Sequence, residues 1–285
     1  MNNKITARIG LILVTIIWGV TFVLVKQALN DAPPFIFATL RFGLATIMAI
    51  TIVNRRLFQL TKNELIGGII CGLFLFLGYG FQNFGLINTT ASKSAFITSV
   101  SVLLVPILLV TFKLQKVILR IWLAVLLATM GLYLLILPGG GAFNLGDMLT
   151  LGCALSFALH LIAQDIYIKK EIRLLPFFCI QSGFVTLFSF VNAQIFESQR
   201  ILWSSQLLSA IIFTGVLATF VAFLIMIWAQ KILTPSETAI IFSVEPLAAA
   251  LFATAFGGEV LGMWGWIGGG LVCLAVSYGE SGKNV

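Results

Sequence analysis

Long apolar stretches separated by short polar connections run through the whole chain. Ten of these stretches hold about 18 or more mostly apolar residues, which is the length that a helix needs to cross the roughly 30 Å hydrocarbon core of a bilayer. The stretches cover residues 8–29, 35–53, 64–86, 91–112, 118–137, 147–168, 174–196, 207–229, 237–256 and 262–279. This pattern predicts an all-α membrane protein with ten transmembrane helices.

The composition supports a lipid environment. The 285 residues are 60% hydrophobic and 9% charged, with a mean hydropathy of +1.09. In soluble proteins about a quarter of the residues are charged, so the lipid bilayer must cover much of this chain. The net charge of +7 does not indicate nucleic acid as a partner, because the basic residues form short clusters between apolar stretches.

Neither a metal site nor a cofactor site is predicted. The four cysteines, Cys71, Cys153, Cys179 and Cys273, lie singly in apolar stretches without the spacing of zinc ligands. A chain with one histidine cannot form a site of several histidines. We expect the cysteines to be small packing residues.

The distribution of lysine and arginine predicts the orientation in the membrane. Thirteen of the 17 lie on one side of the ten-helix arrangement, and only Lys93 and Arg200 lie on the other, with Lys26 and Arg41 inside helices. The positive-inside rule then places both termini in the cytoplasm. We expect the first stretch to be a retained helix, since it is too long for a signal peptide and contains Lys26.

The two halves of the chain resemble each other. "NTTASKSAFITSVSV" (88–102) is similar to "ILTPSETAIIFSVEP" (232–246), and an offset of 144 residues superposes the two segments. The ten helices then divide into two sets of five, residues 1–137 and 138–285. Because five is odd, the second copy enters the membrane from the opposite side. Such inverted-topology repeats hold their binding site at the midplane between the halves.

Five further segments are recognisable by their order and spacing. They are "WGVTF" (18–22), "RF" (41–42), "GLINTTASKSAFITSVSVLLVPIL" (85–108), "AQKILTPSETAIIFSVEPLAAALFATAFGGE" (229–259) and "GWIGGGLVCLAV" (265–276). With these segments the chain resembles the drug/metabolite transporter superfamily, and its EamA-type members in particular, over nearly its whole length.

This resemblance implies a carrier of the inner membrane, usually an exporter of small metabolites or toxic compounds, that works by alternating access. The first half departs from the family pattern, since its fourth helix has "SV" (101–102) where the second half has "EP" (245–246). Lys113 and Lys116 also stand where the family often has an acidic residue after that helix. A mechanism with matched acids in both halves therefore does not follow from the resemblance.

Glu245 and Pro246 are the residues least expected in an apolar stretch. Glu245 lies about 12 Å from the inner end of its predicted helix, where an ionisable residue is a functional candidate and burial disfavours its charged form. Pro246 lacks an amide hydrogen and clashes with the carbonyl of Phe242, so it predicts an irregular backbone beside the carboxyl group. Glu245 is therefore either a proton-coupling residue or a hydrogen-bond partner of this helix break or of a neighbouring helix.

Other polar and aromatic residues lie at similar depths in other stretches. Trp18 lies near the midplane, and His160 and Gln164 share one face of the sixth helix. We predict that a central cavity for a small-molecule substrate is lined by Trp18, Tyr79, Gln82, Asn83, His160, Gln164 and Glu245. The alternative for each is packing or a single hydrogen bond between helices, and Arg41 is expected to pair with an acid or a carbonyl.

These features predict a secondary transporter, with the proton as a candidate coupling ion. A passive facilitator or an importer of the same fold is an alternative. A polytopic membrane enzyme is disfavoured, because the connections are at most about ten residues long and contain no nucleophile–base pair or phosphate-binding motif. The identity of the substrate does not follow from these residues.

Overall fold

The computed structural model describes residues 2–53, 59–136, 144–256 and 262–280. Within these ranges the chain folds almost entirely into helices and forms no strand. The all-α class predicted from the apolar stretches is thereby confirmed.

Six helices lie between residues 2 and 136 of the described chain. They are α1 (Asn2–Ala28), α2 (Pro34–Val53), α3 (Lys62–Asn88), α4 (Ala91–Thr98), α5 (Ser101–Thr111) and α6 (Leu119–Ile136). Local chemistry explains two of the starts. Thr61 and Glu64 form a reciprocal capping box at α3, and the Thr90 side chain accepts a hydrogen bond from the N–H of Lys93 at α4.

The described residues between 144 and 280 form seven more α-helices. They are α7 (Leu145–Ile168), α8 (Leu174–Phe196), α9 (Ser205–Ile212), α10 (Ala222–Gln230), α11 (Pro235–Phe242), α12 (Glu245–Phe256) and α13 (Met263–Glu280). A π-helical segment, Phe213–Val221, joins α9 to α10. A capping box lies at the start of two of these helices. Asn144 and Asp147 form it at α7, and Thr234 and Glu237 form it at α11.

Eight helical segments of the described chain are long and apolar enough to cross a membrane. In this count α4 with α5, α9 with α10, and α11 with α12 form one segment each. Two further apolar helices, Leu119–Leu134 and Met263–Gly279, are shorter and border residues outside the described ranges. The chain is a multi-pass membrane protein, and the number of ten crossings stays a prediction.

The helix ends lie on two opposite faces, which we call face A and face B. On face A, the side chain of Asn144 donates a hydrogen bond of 3.0 Å to the carbonyl of Asn88. On face B, Arg173 forms an ion pair with Glu64 at 2.7 Å. These contacts tie the part of the chain before residue 137 to the part after residue 143 on both faces.

Helices from these two parts pack against each other along the centre of the molecule. α3 lies against α7 and α8, α2 against α8, α1 against α12, and α6 against α13. The rings of Phe42, Phe177 and Phe178 are buried in the core cluster between them. The site described below is enclosed by this packing.

Glycines let α3 approach α7 closely. A Cβ atom at Gly78 would lie 2.4 Å from the ring of Phe157, and one at Gly85 would lie 2.9 Å from the carbonyl oxygen of Gly146. Gly80 differs, since its nearest neighbour outside α3 would be 3.7 Å away. The small size of Gly78 and Gly85 thus determines how near α3 comes to α7.

Gly85→Ala should destabilise the protein, because the new methyl group must displace backbone atoms of α7. We expect the free energy of unfolding to fall by about 1–3 kcal/mol, measured as a lower midpoint of thermal unfolding in detergent. Gly270→Ala is the control, since nothing lies within 4 Å of that Cβ position. Equal midpoints for the two variants would contradict the close approach of α3 and α7.

Candidate functional site

Two membrane segments are interrupted at corresponding points of the chain. α4 ends at Thr98 and α5 begins at Ser101, whereas α11 ends at Phe242 and α12 begins at Glu245. The two interruptions are separated by the offset of 144 residues found in the sequence. Each leaves a short turn near the middle of its segment.

A serine stabilises each turn. The N–H of Ser99 donates to the carbonyls of Ala95 and Phe96, and its hydroxyl donates to the Ala95 carbonyl at 3.1 Å. The N–H and the hydroxyl of Ser243 both donate to the carbonyl of Ile240, the hydroxyl at 2.6 Å. Carbonyls at the ends of α4 and α11 thus find donors within the turns.

Pro246 accounts for only one of the two interruptions. It is the second residue of α12, and its ring is incompatible with a helix that continues past the carbonyl of Phe242, where α11 ends. The corresponding residue of the first half is Val102, and Pro106 lies inside α5. The irregular backbone predicted at Pro246 therefore lies just before it, and the matching turn forms without a proline.

A small cavity lies between the two turns. Its volume is about 60 Å³, and its wall is formed by α1, α3, α7, α10 and the interrupted helices. This is room for a few water molecules, well below the roughly 300–1,000 Å³ of a pocket that encloses a drug-sized ligand. Aromatic side chains form much of the wall, among them Phe157, Phe223 and Phe242.

Five of the seven side chains that we predicted to share a cavity lie on its wall. These are Trp18, Tyr79, Gln82, His160 and Glu245. Thr21, Thr98 and Ser101 line it as well. Thr21 and Thr98 do not stand out in the sequence, because hydroxyl residues in a membrane helix often only bond the preceding turn, and Ser101 stands out only as the counterpart of Glu245.

Asn83 and Gln164 do not line this cavity, in contrast to the prediction. The amide of Asn83 donates to the carbonyl of Pro34 at the start of α2, at 3.3 Å. Gln164 is fully buried, and its amide donates to the side-chain oxygen of Gln230 in α10. Both side chains form hydrogen bonds between helices, which is the alternative to a place on the cavity wall.

A chain of buried polar side chains extends from His160 away from the cavity. His160 Nε2 lies 3.0 Å from Gln181 Oε1, and Gln181 in turn donates to Gln164 at 3.5 Å. Gln230 completes the chain with a hydrogen bond of 3.1 Å to the carbonyl of Leu161. This network joins α7, α8 and α10, and it satisfies polar groups that have no access to water in a bilayer.

Arg41 lies buried behind Tyr79. Its Nε donates to Thr219 Oγ1 at 2.8 Å, its Nη2 donates to the Tyr79 hydroxyl at 3.3 Å, and its guanidinium carbon lies 4.5 Å above the Tyr79 ring. Hydroxyl groups and a ring face thus take the place of the acid or carbonyl that we expected.

Trp18 connects the cavity wall to the π-helical segment. Its Nε1–H donates to the carbonyl of Ala218 at 2.8 Å, and its ring packs edge-on against Phe242 with 5.1 Å between centroids. π-Helical turns have irregular hydrogen bonds and are frequent at functional sites. The indole therefore supplies a donor to a backbone carbonyl deep in the membrane, where water is not available.

The chain is similar to known membrane proteins over nearly its whole length. The model of the EamA-like transporter family matches residues 6–137 and again residues 144–278. An uncharacterized transporter of Archaeoglobus fulgidus is 34% identical over 277 residues, which cover 96% of this chain and 85% of the relative. The uncharacterized transporter YoaV of Bacillus subtilis is 26% identical over 268 residues, which cover 87% of either chain.

A solved crystal structure shares the fold. It superposes on this chain with a TM-score of 0.78 at 16% sequence identity, and the match covers 97% of this chain and 96% of that one. At this level of identity the likeness concerns the fold alone.

Trp18→Phe should keep the ring contacts and remove the hydrogen bond to Ala218. We expect the free energy of unfolding to fall by about 1 kcal/mol, again followed by thermal unfolding in detergent. Trp266→Phe is the control, because Trp266 is exposed on the surface of the molecule. An unchanged midpoint for Trp18→Phe would mean that the Ala218 carbonyl is satisfied without the indole.

Proposed function

The chain belongs to the EamA-like transporter family, and on this premise we propose that it is a secondary transporter of the inner membrane. In this proposal it exports small metabolites, amino acids or drug-like compounds by alternating access and catalyses no reaction. The observation that carries the proposal is the cavity between two interrupted helices, with the carboxyl group of Glu245 on its wall. Interrupted helices beside a central cavity are typical of carriers.

We propose that ten crossings form two five-helix inverted repeats, residues 1–137 and 138–285. The double match of the family model supports this division. The helix boundaries support it too, since α6 and α13 begin 144 residues apart, at Leu119 and Met263. In addition, α2 packs against its counterpart α8, and α6 against its counterpart α13, as expected when a pseudo-two-fold axis relates the halves.

We propose that face B is cytoplasmic and that both termini lie on this side. Lys169, Arg173 and Lys231 lie at face B, whereas Lys93 and Arg200 lie at face A. Cytoplasmic connections of membrane proteins are enriched in lysine and arginine. The distribution of charge over the helix ends therefore supports the orientation inferred from the sequence.

The size of the cavity supports alternating access. At about 60 Å³ it has room for water but not for a metabolite. A substrate can therefore enter only when the surrounding helices move apart. Because polar contacts join the halves on both faces, a tilt of one half against the other would open one face while the other stays closed.

We propose that Glu245 takes up and releases a proton during this cycle. Glu245 lines the cavity among aromatic side chains. The charge of such a carboxyl group depends on its access to water, which alternates between the faces in this mechanism. Ser101 takes the corresponding place in the first half, so one titratable group would serve both directions of access.

Single cysteines in a cysteine-free background should report the proposed orientation. Asn63 at face B and Ser198 at face A are exposed and uncharged, so their replacement leaves the charge distribution intact. In intact cells, a membrane-impermeant maleimide should label Ser198→Cys and spare Asn63→Cys. In inside-out vesicles the reactivity should be reversed. Labelling of Ser198→Cys from the cytoplasm would exclude the proposed topology.

Glu245→Gln should fold normally and lose the response of transport to a pH gradient, because glutamine keeps the shape and the acceptor oxygen but exchanges no proton. A substrate is first identified by comparing metabolites of cells with and without the protein. Its uptake into inside-out vesicles is then measured with and without an imposed pH gradient. Glu171→Gln is the control, since it removes an exposed acid at face B.

Uptake by Glu245→Gln that still follows the gradient would refute proton exchange at this residue. Glu245 would then be a hydrogen-bonding residue of the helix break. If the unmodified protein equilibrates the substrate regardless of the gradient, the passive facilitator is the correct function.

A further inference from the structure

Besides the Arg173–Glu64 pair, two further ion pairs join the halves of the chain, one on each face. Lys93 in α4 pairs with Asp147 in α7 on face A, and Arg8 in α1 approaches Glu237 in α11 on face B. Counted along the ten predicted crossings, α4 belongs to the fourth helix and α7 is the sixth, whereas α11 belongs to the ninth and α1 is the first. Inversion of the repeat exchanges the fourth helix with the ninth and the sixth with the first. The two pairs thus connect equivalent helices at opposite ends of the molecule.

The acid and the base are exchanged between the two pairs. The offset of 144 residues places Glu237 at the position of Lys93, and each is the third residue of its helix after a threonine N-cap, Thr234 or Thr90. The helix dipole favours an acid at this position and disfavours a lysine. The requirements of α4 itself therefore do not explain Lys93, whereas its acidic partner in the other half does.

The two pairs differ in tightness. Lys93 Nζ lies 2.7 Å from Asp147, whose side chain is fully buried and also accepts a hydrogen bond of 2.7 Å from the Thr89 hydroxyl. Arg8 Nη2 lies 3.9 Å from Glu237, and the side chain of Arg8 is 25% exposed. The partner residues also lie at different depths of equivalent helices. The offset of 144 residues places Asp147 at residue 3, in α1, whereas the partner in α1 is Arg8. The Lys93–Asp147 pair is therefore tighter than the Arg8–Glu237 pair.

Short helices connect both pairs to the cavity. α4 and α11 have 8 residues each, or about 12 Å at 1.5 Å per residue. Each runs from its ion pair at one face to its turn beside the cavity. Thr98 at the end of α4 and Phe242 at the end of α11 lie on the cavity wall. A movement of either short helix about its turn thus changes an ion pair and the wall of the cavity together.

We propose that the Lys93–Asp147 pair and the Arg8–Glu237 pair are the two locks of the transport cycle, and that each lock separates when its own face opens. The proposal rests on the alternating access proposed above and adds the residues that close each face. The tighter lock lies on face A and the looser one on face B, where the Arg173–Glu64 pair also joins the halves.

A cysteine in the cavity can report which face is open. Ser101 lines the cavity, so Ser101→Cys in a cysteine-free background is the reporter. Its reaction rate with a membrane-impermeant methanethiosulfonate is measured from face A in right-side-out vesicles and from face B in inside-out vesicles. The ratio of the two rates reports the balance between the two open states and requires neither a substrate nor a pH gradient.

Removal of the lock on face A and removal of the lock on face B should shift this ratio in opposite directions. Lys93→Gln should raise the face A rate relative to the face B rate by roughly tenfold, because it separates a buried pair. Arg8→Gln should lower the ratio by roughly threefold, because its pair is longer and partly exposed. The double variant should return towards the ratio of the parent, since both faces are then unlocked.

Two lysines on the same faces serve as matched controls. Lys26 donates to the carbonyls of Leu86 and Thr89 within the first half, and Lys231 donates to the carbonyl of Ile172 within the second half. Lys26→Gln and Lys231→Gln remove a cation at each face and leave both proposed locks in place, so their ratios should stay near that of the parent. Lys93→Arg retains the charge and should do the same.

The locks are refuted if Lys93→Gln and Arg8→Gln shift the ratio in the same direction, or if neither exceeds its control. Should Lys93→Gln fail to reach the membrane, Arg8→Gln decides alone, and a ratio that does not fall below that of Lys231→Gln refutes the locks. A reporter that reacts from one face only, in the parent and in every variant, would refute alternating access itself. Intact transport with an unshifted ratio would refute only the locks.

Discussion

Backbone groups inside a bilayer must find their hydrogen-bond partners within the protein, and this constraint determines where the cavity of this chain can lie. Both interrupted segments expose carbonyls near their midpoints, and Ser99 and Ser243 supply donors to some of them. Such turns are tolerated only where protein or a cavity surrounds them. α1, α3, α7 and α10 therefore enclose the turns, and the cavity forms where the helical backbone is broken.

The same constraint distinguishes the polar side chains that stabilise the helix packing from Glu245, which we propose exchanges a proton. Arg41 is fixed by Thr219 and Tyr79, and Gln164 is fixed by its neighbouring amides. These groups lie behind the wall with partners that satisfy them. Glu245 instead lines the cavity, where a change in water access can change the charge of a carboxyl group. Rigid polar neighbours around one accessible acid are what a proton-exchanging site requires.

Much of this arrangement could be predicted from periodicity and composition, because a membrane segment must be long and apolar wherever it lies. The same reasoning marks Glu245, Trp18 and Tyr79, since costly or bulky residues near the midplane need a reason. Gln164 lies outside this cavity, because a helical face indicates a direction but not the helix that it meets. No proline marks the interruption after Thr98 in the sequence, and no signal marks the π-helical segment. Both depend on tertiary packing, which a single sequence does not contain.

In the two halves that we propose, side chains at corresponding positions differ, and this difference has a consequence for the transport cycle that we propose. A carrier with two identical halves would have inward-open and outward-open states of equal free energy, since inversion would convert one into the other. Here Glu245 corresponds to Ser101, and Glu237 corresponds to Lys93. The states then differ in free energy, and a ligand shifts their balance only by its own difference in affinity for them. The repeated backbone would thus provide the movement, while the unmatched charges would set its resting position.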